Sequence, residues 1–122
     1  MSWAKYAIEA LQRGEITMIR PRGHSMKGKV NDSELVTLAP CDASALTVGA
    51  IVLVRVHGSD YLHLVKALDG ERFQIGNNRG GINGWVRASS IYGAATKVEP
   101  YSAETRKQGP QFESTGQDRT GP

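Results

Sequence analysis

"AIVLVRVHGSDYLHLVKAL", residues 50–68, decides the fold. It holds two apolar runs of strand length, "AIVLVRV" and "DYLHLVKAL", rich in Val, Leu and Ile. Between them "HGSD" carries Gly58, a residue that turns a chain tightly without steric cost. Two such runs around a short glycine turn predict a β-hairpin.

The same reading extends outward. Downstream, "RFQIGN" follows the turn "LDGE" and predicts a third strand. "NNRGGING" (residues 77–84) reads as a glycine-rich loop, and "GWVRASSIYGAATKV" carries the last strands, with Trp85 and Tyr92 expected as core or barrel-closing aromatics. Upstream, "CDASALTVG" is a loop ending at Gly49, and "SELVTLAP" is a strand stopped by Pro40. "EITMIRPRG" alternates into a strand that Pro21 and Gly23 bend. Ahead of it the period is helical: Trp3, Ala7, Ala10 and Leu11 share one face, Ser2 can cap the start and Gly14 can end it. The expectation is a helix with its Trp3/Leu11 stripe packed on a mostly-β, partly barrel-like body.

A chain of 122 residues supports one core. Three parts are expected: an amphipathic helix over 1–14, a β domain over 15–99, and a tail over 100–122. The tail is polar and almost without aliphatics, so it cannot bury enough surface to order itself. The formal charge of +3 is small and dispersed, which permits weak nucleic-acid binding without requiring it. The single Cys41 allows no internal disulfide, fits a reducing compartment and reads as a half-buried filler. No segment approaches the roughly 18 apolar residues of a membrane span. Charged residues also interrupt the N-terminus, which excludes a signal-peptide reading. The expectation is a soluble, cytoplasmic protein.

Three features of the β body belong together: "GHSM" (residues 23–26) after a strand, the hairpin whose return strand carries His63, and "IGNNRGGINGWV" followed by "IYG". In that order they resemble the serine peptidases that include signal peptidase I and the peptidase domains of LexA-like repressors. The shared pattern is a nucleophile in "GxSM", a "GD" leading into an apolar strand, and a hairpin returning with a lysine or histidine base. The resemblance covers about residues 16–98 and implies a LexA- or signal-peptidase-like β fold. Two family aspartates are replaced, by Ala50 and by Asn77.

The resemblance implies Ser25 as nucleophile and puts the base on His63. An ungapped count along the hairpin from Gly49 reaches that position. "LVKAL" keeps Lys66 as the second choice. A serine hydroxyl needs a neighbouring base as it attacks, and a neutral imidazole can act near neutral pH, whereas lysine first needs its pKa depressed by burial. By resemblance, the main-chain N–H of Ser25 forms the oxyanion hole, shaped by His24. Ile19 and Arg20 of the preceding strand, with Met26, would line the substrate cleft, where an extended peptide could pair by main-chain hydrogen bonds. Asp60 is close to His63 along the same strand and is not assignable as its orienting carboxylate. "GNNRGG" lacks the ending of a phosphate-binding loop and reads instead as bounding the site, with Asn77 or Asn78 bonding backbone.

The expected activity is therefore a serine endopeptidase acting on a protein or peptide through an acyl-enzyme, with no organic cofactor and no metal. The other reading takes Ser25 as a turn residue and His63 as a satisfied strand histidine. The chain would then be a catalytically silent β module that binds an extended peptide, a partner protein or nucleic acid.

Overall fold

The computed structural model describes residues 3–21, 26, 28–31 and 34–100. They form helix α1 (Lys5–Gln12) and strands β1 (Thr17–Ile19), β2 (Leu35–Ala39), β3 (Ile51–Val56), β4 (Ser59–Asp69), β5 (Arg72–Gly76), β6 (Ile82–Arg87) and β7 (Ile91–Glu99). Short 3₁₀ turns span Ala43–Ala45 and Ala88–Ser90. All strand pairings are antiparallel, in the order β1-β2-β7-β3-β4-β5-β6. The sheet curls into a half-barrel that brings β6 back towards β3.

The "IVLV" of β3 is continuously apolar because this strand lies between two cores. Leu53 points to one side, with Val36, Leu38, Leu62, Leu64, Met26 and Val30. Val52, Val54 and Val56 point to the other, against Val65, Phe73, Ile75 and Val86. Residues adjacent on a strand face opposite ways, so apolar residues at successive positions make sense only where both faces are covered. β3 and β4 are joined through His57 and Gly58, at φ 50° and 83°. Two successive positive φ values define the type I′ turn, whose twist matches that of the strands.

Helix α1 covers the first core with Ala4, Ala7, Ile8 and Leu11. This i, i+3, i+4, i+7 set differs from the expected stripe. The helix begins at Lys5, after an Ala4 N-cap that makes no side-chain capping bond, so Trp3 precedes it and is 54 % exposed. Ser2 lies outside the described residues. The helix ends as anticipated, with Gly14 at φ 83°. It approaches β7 closely because Gly93 has no side chain: a Cβ there would stand 2.9 Å from a Leu11 methyl and 2.7 Å from the Ala39 carbonyl.

Two further expectations are corrected. Cys41 is exposed rather than half-buried, because Pro40 ends β2 and places it in the following loop. Trp85 is not a core aromatic. The pairing Gln74↔Trp85 turns it outwards, beneath the Arg72 guanidinium at 5.6 Å, while Val86 takes the inward place. Tyr92 does pack on the first core. Residues 101–122, where the polar tail was expected, lie outside the described residues, as do 22–25, 27 and 32–33.

Candidate active site

A cavity of about 580 Å³ opens where two strand margins face each other. One margin is β1, at the end of the strand order, with Ile19 and the following Arg20 and Pro21. The other is the first half of β4, Asp60 to His63. The pairing of β4 with β5 begins only at Leu64↔Gly76, so among the described strands residues 59–63 pair with β3. Met26, Val30, Asn31 and Trp3 complete the lining.

His63 is a buried polar residue, at 7 % exposure, and the side chain of Asp60 on the same strand is 6 % exposed. Its place follows from register. Val52↔His63 and Val54↔Tyr61 are cross-strand pairs, so His63 and Tyr61 share a face two residues apart. Their rings stack at 4.8 Å between centroids and 24° between planes. His63 Nδ1 lies 2.6 Å from Asn83 Oδ1 on β6. Burial lowers the imidazole pKa below its ordinary value, because the charged form loses hydration, and the bond to Asn83 offsets part of that effect. The ring is therefore neutral near pH 7, as a proton acceptor must be.

Two irregularities in pairing place the neighbouring polar groups. On β4, Val65 pairs with Ile75 and Ala67 with Gln74, which leaves Lys66 as an extra residue. Its Nζ donates to the Asn77 carbonyl at 3.2 Å, and Lys66 is not among the residues lining the cavity. On β6, Gly84 pairs with Ile75 and Ile82 with Gly76, which leaves Asn83 as the extra residue. Bulges of this kind re-aim one side chain. Strict alternation would have sent Asn83 outwards with Trp85, whereas the bulge lets it reach His63.

Asp60 also lines the cavity, but its carboxylate is engaged by the Arg55 guanidinium in a two-point pair at 2.8 and 3.1 Å. The glycine-rich loop is held by Asn77, whose Oδ1 accepts from the N–H groups of Arg79 and Gly81. It approaches Gly28 through Asn78, whose amide nitrogen would lie 3.1 Å from a Cβ built there. Among the described residues, no group of three or more His, Cys, Asp or Glu gathers to hold a metal. Also among them, no helix is long and apolar enough to cross a membrane.

Of the residues singled out in the sequence, Ile19, Arg20, Met26 and His63 meet at this one cavity. Ser25 and His24 lie outside the described residues, and Ser25 is one peptide bond from Met26. Sequence reasoning missed Tyr61, Val30, Asn31 and above all Asn83. Tyr61 had a visible signal, its i, i+2 relation to His63. Asn83 had none, since its reach depends on a bulge.

The chain matches no family model and no curated protein.

Proposed function

We propose that the cavity is the active site of a serine endopeptidase similar to the LexA and signal-peptidase group, with Ser25 as nucleophile and His63 as general base. The observation that carries this reading is that a buried histidine, neutral near pH 7, is among the residues lining a cavity whose lining also includes Met26, the covalent neighbour of Ser25. In the proposed reaction the Ser25 oxygen attacks the peptide carbonyl while its proton passes to His63 Nε2. The imidazolium then gives that proton to the leaving amine, which leaves an acyl-enzyme. Water, deprotonated by His63, releases the acid and regenerates the serine. The Ser25 main-chain N–H, with His24 shaping the turn, supplies the oxyanion donor. Lys66 is the weaker choice of base, because its amine is spent on the Asn77 carbonyl.

The β1 margin, with the β4 side of the cavity facing it, suits an extended peptide, which could pair along β1. Ile19 and Met26 offer it apolar contact and Arg20 a charge. The same margins favour a second reading, a module that holds such a peptide without cutting it. Labelling by a fluorophosphonate probe separates the two. Wild type and Lys66→Ala should label, while Ser25→Ala and His63→Ala should not. Labelling that persists in Ser25→Ala removes the nucleophile. Loss in Lys66→Ala with retention in His63→Ala exchanges the base. No labelling of a folded wild type, together with peptide binding that depends on Arg20, favours the silent module.

A further inference from the structure

The peptidase reading leaves one requirement open: what fixes the imidazole. In a serine–histidine pair the base works only in the tautomer with its lone pair on the nitrogen that meets the hydroxyl, so the other nitrogen must be held as a donor. Neither of the carboxylates that flank His63 along the hairpin fills that role. Asp60 is paired with Arg55, and Asp69 lies at the far end of β4 beside Arg72.

We infer that Asn83 is the positioning residue of His63: its Oδ1 accepts the Nδ1–H across 2.6 Å, which fixes the imidazole as the tautomer whose lone pair is on Nε2. This rests on the peptidase reading for its consequence in catalysis, though not for the hydrogen bond itself. Three independent features hold the arrangement. The bulge at Asn83 breaks the β5–β6 register at the one place where its side chain can reach β4. Gly84, at φ 145°, takes a backbone conformation that side chains rarely adopt and lets the strand pass close to His57 and Val56. On its other side the ring stacks on Tyr61, so it is held both in plane and in rotation.

An amide differs from a carboxylate in what it does to the base. It orients the ring without adding negative charge, so it does not stabilise an imidazolium as a carboxylate would. The site therefore keeps its base neutral to lower pH, with weaker stabilisation of the charged intermediate. Around the ring, the described residues include the following groups. Tyr61 stacks on it from the same strand, Asp60 and Arg20 share the cavity, and its β3 partner is the uncharged Val52.

The test uses the full chain and three variants, Asn83→Asp, Asn83→Ala and His63→Ala, with two readouts. The first is ¹⁵N NMR of the histidine rings, the His63 signal being assigned by its loss in His63→Ala. In wild type the neutral ring should carry its proton on Nδ1. Asn83→Ala should release it to a mixture of tautomers. Asn83→Asp, the same size as asparagine, should keep Nδ1–H and raise the His63 pKa. The second readout is the pH dependence of fluorophosphonate labelling. Asn83→Ala should label on the order of 10²-fold more slowly, the scale of a general base, and Asn83→Asp should move the acidic limb of the profile upwards with the NMR titration. A wild-type proton on Nε2, or a His63 pKa unchanged in a folded Asn83→Asp protein, overturns the inference. The readouts fail separately. Correct tautomers without any labelling leave the positioning bond standing and remove the peptidase reading. Labelling that ignores residue 83 removes the positioning role alone.

Discussion

A histidine withdrawn from water gives up hydration that its charged form needs, and His63 shows the consequence as a lowered pKa. Two predictions follow from the sign of that shift. As pH falls, the unfolded chain takes up a proton at this residue first, near the ordinary value of ~6.5, while the folded chain still resists. The contribution of His63 to stability is thus fully present above that value. It is lost as pH falls from there through the lowered folded pKa. Denaturant midpoints of wild type should decline over this window, and those of His63→Ala should decline less. Labelling at Ser25 should stay active to a lower pH than an ordinary histidine permits, then fall as the ring protonates. A rate that instead climbs with pH well above the histidine range would point to Lys66 as the base.

At the level of elements, the site is assembled by departures from regular pairing. β4 outruns β5 by five residues, 59–63, and so presents a margin to the cavity. The bulge at Lys66 sends one amine to the Asn77 carbonyl, and the bulge at Asn83 brings an amide to the imidazole. Gly76 sits between these bulges. A Cβ there would run into the Gly81 carbonyl, a contact that backbone must yield to relieve. Gly76→Ala should therefore cost about 2–3 kcal/mol of stability, the scale of overpacking a tight site. It should also slow labelling by disturbing β6 beneath Asn83. A denaturation midpoint equal to wild type would show that the β5–β6 turn is looser than described. This is also where the sequence was hardest to read. The hairpin, its glycine turn and the strands around it were legible from alternation and turn chemistry. His63, Ile19, Arg20 and Met26 were named from the resemblance and its motifs, and all four line the cavity. Asn83 could not be named, because the glycines of "NNRGGING" read as a loop, and only the register break on β6 brings its side chain to His63. The Trp3 stripe failed for a related reason: the helix starts two residues after it, and a periodic pattern does not specify its own first turn.

Across the whole molecule, β3 is shared by two cores, so the half-barrel and its helix-covered face are coupled through one strand. Leu53 is fully buried between α1, β2 and β4. Leu53→Ala should cost about 2–5 kcal/mol, transfer plus cavity. It should loosen β4 and the cavity as well as the helix side, read as faster amide exchange at residues 61–64. Exchange that rises in α1 alone would mean that the two faces act independently. The larger claim is that this scaffold brings an imidazole and a serine hydroxyl together across a cavity. The most direct measurement is a crystal structure of the chain after fluorophosphonate treatment. Phosphorus bonded to Ser25 Oγ, with His63 Nε2 within about 3 to 4 Å of that oxygen, is the geometry a general base demands and the result expected here. An unmodified Ser25 whose hydroxyl faces away from His63, in a protein otherwise folded as described, would contradict it.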